Sequence, residues 1–322
     1  WATHVDMETG RPVERPGARY EDGEERISTT PAGSHSWHAM SYNPMTGLAY
    51  IPVLQISAIY NDEGIDPDSW ESAVFEGDTT AVGWRIVEDR THVAGSLQAR
   101  DPVTNTVAWE VPMYGIGNAG TMTTAGNLVF QGRVDGTLRA YNATTGKELW
   151  SNDLGLGITA PPVTYSVDGK QYIALLVGWG GGVAGLGGDM STANGWAYGV
   201  QDRRLVAFSL DGDTALPPQP PAAEAQPIEM LQFEIDDTMA DQGAYEYGVR
   251  CTVCHGWNAV GAGMAPDLRG SPILASEEAF ADVVRNGSRQ VNGMPVYEHL
   301  SDDQLLAIRH YVRREAEKAL GE

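Results

Sequence analysis

The chain has 322 residues, with 43 Asp and Glu against 21 Lys and Arg, a formal net charge of −22. Such an acid excess excludes a nucleic-acid binder, which needs surplus Lys and Arg for phosphates, and a polybasic membrane contact. No apolar run approaches the roughly 20 residues that span a bilayer, so the acidity reads as solubility and as attraction for a basic redox partner.

The length allows two domains with real cores. Gly (38) and Trp (9) are abundant while Phe (5) is scarce, which suggests a turn-rich β architecture. A chain that opens Trp1-Ala2-Thr3, with neither initiator Met nor signal peptide, is expected to have lost its beginning to processing or truncation. Early in the chain, Gly33-Ser34-His35-Ser36-Trp37-His38-Ala39-Met40-Ser41 places an indole among polar residues. His35 and His38 lack a third ligand, so a metal there is weakly supported. Trp37 fits a platform for a flat ligand better, and Gly178-Trp179-Gly180 reads the same way.

Two segments align without gaps at a 41-residue period, Ala99–Trp109 (ARDPVTNTVAW) and Ala140–Trp150 (AYNATTGKELW). Each reads as strand, Asx-initiated tight turn and a second strand ending in Trp. A period near 40 of that form predicts propeller blades. One blade cannot bury its own faces, so the repeated indole is expected to wedge between neighbouring blades. Weaker echoes stand at Tyr42–Gly47 and Leu205–Gly212, with strands expected over Asn127–Gly132 and Tyr172–Val177. At about 40–50 residues per blade, residues 1–212 hold about four blades. The stretch Gly180–Gly185 matches G-x-G-x-x-G, but no helical periodicity follows it, so it reads as a blade loop and not a dinucleotide site.

Composition then changes. Leu216–Pro227 is Pro-rich, and residues 213–232 are expected to form an extended linker. Residues 233–322 read as helical. Asp237–Arg250 places Gly243 and Tyr247 on one face. Ser301-Asp302-Asp303-Gln304 is a capping box opening an apolar stripe of Leu305, Ile308, Tyr311 and Val312. A helix at each end suits a small cytochrome.

Between those helices, Cys251-Thr252-Val253-Cys254-His255 is a C-x-x-C-H run holding both cysteines of the chain. The spacing is that of covalent c-type haem attachment, with thioethers from Cys251 and Cys254 and His255 under the iron. A redox disulfide would sit at a strand-to-helix turn, and zinc would need two further ligands. Neither context is visible. Haem c is attached outside the cytoplasm, which predicts a periplasmic location.

For the sixth iron ligand the candidates are Met264, Met294, His299 and His310. Met294 is preferred, because Asn292-Gly293-Met294-Pro295 is a turn whose Gly permits close approach and whose Pro stiffens the loop. Met264 lies only nine residues from His255, and His310 is expected on an exposed mid-helix position. Arg269 is a candidate for a haem propionate, and the Pro266 carbonyl for orienting the His255 ring.

The segments GSHSWHAMSYNPMTGLAYIP (Gly33–Pro52), NAGTMTTAGNLVFQGRVDGTLRAYNATTGKELW (Asn118–Trp150), APPVTYSVDGKQYIALLVGWGG (Ala160–Gly181) and the CxxCHG…GMP pair together resemble the quinohaemoprotein alcohol dehydrogenases. The resemblance covers nearly the whole chain. It implies part of an eight-bladed propeller holding pyrroloquinoline quinone (PQQ), followed by an all-α class I cytochrome c domain.

It also implies residue roles. The family's N-W-H-P-M-S falls on Ser36 to Ser41, so Ser36 stands where an Asn contacts the quinone, beside Trp37. W-N-G-G-T falls on Gly117 to Thr121, so Gly117 replaces a Trp near the cofactor and Asn118 is retained. G-W-G-G is retained as Gly178, Trp179, Gly180 and Gly181, which makes Trp179 and Gly180 the leading quinone contacts. The family's catalytic Asp, calcium ligands, vicinal disulfide and floor Trp lie N-terminal to anything present here, so no catalytic residue is assigned in this chain.

The expected function is the C-terminal part of a PQQ- and Ca2+-dependent alcohol dehydrogenase. It would pass electrons through haem c to a periplasmic cytochrome or copper protein. The remaining propeller half, on a longer polypeptide or on a second chain, would complete the ring, because half a propeller leaves raw sheet edges. The alternatives are an electron-transfer cytochrome whose repeats only bind a partner, and a quinone dehydrogenase for polymer or sugar alcohols.

Overall fold

The computed structural model describes residues 1–21, 23–28, 33–61, 83–86, 93–115, 118–179, 203–218, 226–228, 233–261 and 265–321, with 83–86 and 93–94 described as backbone only. Its N-terminal two thirds are strands. In chain order these are β1 (Ala2–Val5), β2 (Pro12–Glu14), β3 (Glu25–Ile27), β4 (Ser41–Asn43), β5 (Leu48–Leu54), β6 (Ala58–Asn61), β7 (Gly83–Ile86), β8 (Val93–Asp101) and β9 (Thr106–Tyr114). There follow β10 (Thr121–Thr124), β11 (Leu128–Gly132), β12 (Thr137–Asn142), β13 (Glu148–Asp153), β14 (Val163–Val167), β15 (Lys170–Val177) and β16 (Arg204–Phe208).

The strands form antiparallel sheets in the orders β1-β2, β3-β6-β7, β4-β5-β8-β9, β10-β11-β12-β13 and β14-β15-β16. The β10–β13 sheet pairs consecutive strands, and the β4-β5 and β8-β9 hairpins join through the β5–β8 pair into a second four-stranded sheet, the blade-like unit expected from the repeat.

The two repeat copies fall on β8–β9 and β12–β13 and fold alike. Asp101 Oδ1 accepts from the Val103 and Thr104 amides. Asn142 Oδ1 accepts from those of Thr144 and Thr145. A residue with positive φ closes each turn, Asn105 at 57° and Gly146 at 72°. The register shifts at the equivalent place in both, between Ala99 and Arg100 and between Ala140 and Tyr141.

The repeated Trp joins neighbouring sheets. Trp109, the fourth residue of β9, donates from Nε1 to the Ala143 carbonyl, 3.0 Å away in the β12–β13 turn. Its ring lies so close to Gly146 that a Cβ there would come within 2.7 Å. Trp150 meets Phe208 of the next sheet edge-on, with ring centroids 5.5 Å apart. Cores of Tyr50, Leu97, Met113, Val129 and Tyr141, then of Leu138, Leu154, Ile158, Leu175 and Val206, fill the spaces between successive sheets.

The helices are α1 (Asp237–Arg250), α2 (Thr252–His255), α3 (Glu277–Val284) and α4 (Asp302–Gly321). Asp236 caps α1 by accepting from the Met239 amide, and Ser276 caps α3. The capping box of α4 closes reciprocally, Gln304 amide to Ser301 Oγ (3.2 Å) and Ser301 amide to Gln304 Oε1 (3.0 Å). Helix α1 crosses α4 at Gly243, where a Cβ would lie 1.9 Å from the Ala307 carbonyl oxygen. Only a hydrogen fits at that crossing.

The segment between strands and helices is anchored at its described points. Arg204 donates to the Pro217 and Pro218 carbonyls at 2.7 and 2.8 Å. The Ile228 amide donates to Arg269 O, and Arg313 donates to Ile228 O.

One expectation is corrected here. His310 is 9% exposed and not a surface residue. The chain entering α1 folds back over α4, so that Phe233 packs on the imidazole at 4.9 Å and the Asp236 amide donates to Nδ1.

Replacing Gly243 with Val should overpack the α1–α4 crossing and cost about 1–3 kcal/mol. Chemical denaturation followed through the helical signal is the check, and Gly248→Val, where a Cβ meets nothing within 4 Å, serves as control.

Candidate functional site: a C-x-x-C-H turn and a tryptophan-bearing sheet end

The C-x-x-C-H run forms α2, one turn of helix, so Cys251 and Cys254 lie on one side of it. The His255 amide closes on the Cys251 carbonyl at 2.8 Å, and the imidazole is buried at 9% exposure. Its Nδ1 lies 2.8 Å from the Pro266 carbonyl oxygen, the contact expected from sequence. A carbonyl only accepts, so the proton sits on Nδ1 and the Nε2 lone pair is left for a metal. Burial lowers the His255 pKa, opposed by the Pro266 hydrogen bond and by Asp267, so the ring is neutral as a ligand must be.

Both thiols are free. Burial pushes Cys251 up to about 12 and raises Cys254 as well. Reactive C-x-x-C pairs depress a thiol instead. The turn after His255 is held by Tyr247, whose hydroxyl donates to Gly256 O at 2.8 Å, while Asn258 and Ala259 take positive φ of 56° and 61°. Tyr297 holds the preceding end through a hydroxyl bond to Arg250 O at 3.0 Å. Sequence reasoning missed these two tyrosines as site residues. Their signal was only an apolar position on a helix face and a tyrosine three residues past Met294.

Met294 follows Gly293, which adopts a left-handed φ of 89°, and is packed against the cluster that contains Tyr247, Leu274 and Tyr311. His299 is exposed, and Met264 lies outside the described residues. Arg269 is engaged with Asp267, Nε to Oδ1 at 3.1 Å and Nη2 to Oδ2 at 2.8 Å. A propionate would therefore share that guanidinium with a carboxylate.

The quinone candidates gather at one end of the sheets. Ser36, Trp37 and His38 precede β4, Asn118 precedes β10, and Gly178 and Trp179 follow β15. In antiparallel hairpins the start of the first strand and the end of the second lie together. Contacts between neighbours bring these ends side by side, with the Thr121 amide on Ala39 O (2.8 Å) and the Ile158 amide on Arg133 O (2.9 Å). Gly120 and Gly157 permit the approach. A Cβ would strike the Ala39 backbone in the first case and the Trp179 indole in the second, at 2.6 and 2.4 Å.

Ser36 and Trp37 are exposed, and the Trp37 ring stacks on His38 at 4.3 Å. Among the described residues, Trp179, 3% exposed, has no hydrogen-bond partner for its Nε1. Both ring nitrogens of His38 are likewise buried without one. Asn118 is committed to its own scaffold, donating to Tyr114 O and Gly115 O and accepting from the Val134 amide. Gly117 and Gly180 lie outside the described residues. Among the described residues no three His, Cys, Asp or Glu side chains cluster as a metal site, so His35 and His38 gain no third ligand.

Family comparison matches residues 77–173 to the glucose/ethanol/alcohol dehydrogenase beta-propeller domain of the PQQ family. It matches residues 238–312 to a cytochrome family described as cytochrome c oxidase, cbb3-type, subunit III. The quinohemoprotein alcohol dehydrogenase ADH IIB of Pseudomonas putida is 38% identical over 97% of this chain, and the alignment takes in 44% of that protein. The solved structure of ADHIIG from Pseudomonas putida HK5 superposes with a TM-score of 0.81 at 33% identity, covering 100% of this chain and 48% of that one. The enzyme of Comamonas testosteroni superposes at 0.71 with 29% identity, over 99% of this chain and 46% of that one.

The chain resembles the quinohemoprotein alcohol dehydrogenases. It spans a little under half the length of the curated relatives it matches. The two modules are those of a quinoprotein and of a cytochrome c, whose cofactors are PQQ and haem c, with calcium typical of the family. The residues described here suit both groups. A neutral, oriented imidazole beside two unpaired thiols fits haem, and orphaned buried nitrogens at a glycine-lined sheet end fit a polar, flat cofactor.

Two outcomes follow. Cys251→Ser or Cys254→Ser should leave haem attached through one thioether with a shifted reduced-state spectrum, and the double change should release it to acid–acetone extraction. Burial, with His35 adding to it, holds His38 at about 4 against an ordinary 6.5. The unfolded chain thus binds the extra proton first, and stability is lost as pH falls from about 6.5 towards 4. The loss is about 3 kcal/mol at most, and His38→Phe should flatten that limb in thermal unfolding at matched pH.

Proposed function

We propose that this chain is the C-terminal part of a PQQ-dependent alcohol dehydrogenase that sends electrons out through covalent haem c to a periplasmic acceptor, a small cytochrome or a copper protein. Residues 1–212 would supply about four blades of an eight-bladed propeller, 213–232 the linker, and 233–322 a class I cytochrome c domain. The other propeller half would bring the catalytic Asp and the calcium ligands, so this chain alone would turn over no alcohol. The observation that carries the reading is the buried His255 imidazole, fixed by Pro266 O beside two free thiols in a chain whose sheets match a quinoprotein domain.

When bound, PQQ supplies a two-electron acceptor for the alcohol's hydride. This chain's own residues would bind and orient it. Trp179, backed by Gly157, and Trp37 would offer flat surfaces, with Ser36 and Gly180 beside them. His255 and Met294 would hold the haem iron, the thioether raising its potential. Arg269 would screen a propionate.

Two features support an unfinished propeller. Among the described residues the β14-β15-β16 sheet has three strands where the adjacent β10–β13 sheet has four. Its outer face leaves Val163, Leu176 and Leu205 56%, 60% and 73% exposed, a hazard unless another sheet covers it.

A second reading, a cytochrome whose repeats bind a partner without quinone chemistry, draws support from Asn118, whose amide is already taken by backbone. A dehydrogenase for polymer or sugar alcohols shares every feature above and differs only in substrate.

The test is haem reduction in the full-length polypeptide that contains this chain, mixed with a primary alcohol after loading with PQQ and Ca2+. Alcohol-dependent reduction is expected. Met294→Ala should leave the quinone step intact with an artificial dye acceptor and slow reoxidation of the haem by a periplasmic acceptor. Absence of PQQ from the native full-length protein would favour the second reading.

A further inference from the structure

The His38 ring is an unusual burial. A polar group removed from water without a hydrogen bond costs about 1–3 kcal/mol, and here both imidazole nitrogens are in that state at 5% exposure. The ring is not mere filler between sheets. It stands on the loop that enters β4, at the sheet end where Trp37 stacks on it at 4.3 Å and leaves more than half its own surface open. The neighbouring His35 is already used, with Nδ1 2.8 Å from Pro52 O. The same sheet end holds a second buried orphan donor, Trp179 Nε1. Two buried orphans at the same end of the strand region, on the sheets either side of the β10–β13 sheet, point to a ligand with oxygen atoms, since such groups elsewhere in proteins are satisfied.

We infer that His38 is a cofactor-binding residue whose imidazole donates a hydrogen bond to an oxygen of the bound quinone. The inference rests on the PQQ reading above and adds a residue to it. PQQ is a tricarboxylated ortho-quinone, rich in acceptor oxygens and flat enough to lie against indole rings. A neutral imidazole always carries one N–H, so the ring can donate without first being charged. The other candidates at this end are less able to do so. Asn118 already donates to two carbonyls, and Ser36 reaches less far than an imidazole.

The experiment uses the full-length polypeptide that contains this chain, stripped of PQQ and titrated with PQQ at saturating Ca2+ by quenching of tryptophan fluorescence. Wild type should bind. His38→Ala and His38→Phe should weaken the dissociation constant tenfold or more, Phe keeping the packing should Ala fail to fold. His38→Asn, which keeps a donor, should stay within about threefold. The haem spectrum and thermal unfolding report the fold of each variant independently of turnover. Wild-type affinity in His38→Phe would overturn the inference and leave the PQQ reading standing, as would equal loss in Phe and Asn, which would mark the ring as shape alone. Failure of wild type itself to bind would instead overturn the PQQ reading and this inference with it.

Discussion

The strand region depends on one contact, the Trp109 indole on the turn of the following sheet. A four-stranded sheet has two faces and cannot cover either by itself. Trp109 meets Ala143, 34 residues away, through a 3.0 Å bond, and presses on Gly146. The Tyr50 hydroxyl donates to the same carbonyl at 3.0 Å. Indole and phenol thus tie one sheet to the next at a fixed place, and Trp150 repeats the step against Phe208. Once adjacent sheets are so pinned, their corresponding ends coincide. That is how residues as far apart in sequence as His38 and Trp179 come to share one end.

The helical region has its own constraint, the bare backbone approach of α1 to α4 at Gly243. It sets where Tyr247 can reach, and Tyr247 in turn holds the carbonyl next to His255. The placement of His255 therefore depends on a glycine twelve residues earlier. Arg313 and the Arg269 backbone clasp Ile228, while His310 and Arg309 pack around Phe233. The segment leading into α1 is thus part of the cytochrome core's wall. Val253 and Trp257 are exposed apolar side chains at the C-x-x-C-H turn.

The two candidate sites differ in how self-sufficient they are. At the C-x-x-C-H turn the His255 imidazole and the carbonyls on either side of the run, those of Arg250 and Gly256, each have a partner. At the sheet end, orphaned nitrogens and the exposed Trp37 indole remain, and a sheet with an open face stands beside them. Those are the marks of a surface whose complement is another piece of structure together with a ligand.

Where chemistry is written in neighbouring residues, the sequence by itself determined the outcome. The C-x-x-C-H helix turn, the Asx-initiated turns at Asp101 and Asn142, the Ser301–Gln304 capping box and the Trp of each repeat all follow from spacings of a few residues. Gly243 and Tyr247 were legible as one face, and Pro266 as the partner of His255. Only the tertiary structure decided the rest. His310 looked exposed because its cover, Phe233 and Asp236, lies more than 70 residues away. Asn118 looked available for a ligand until its three backbone partners came into view. The orphaned state of His38 and the Asp267 grip on Arg269 were invisible for the same reason. Whether a polar side chain is free or already satisfied depends on groups that packing brings to it, and a one-dimensional pattern carries no record of those.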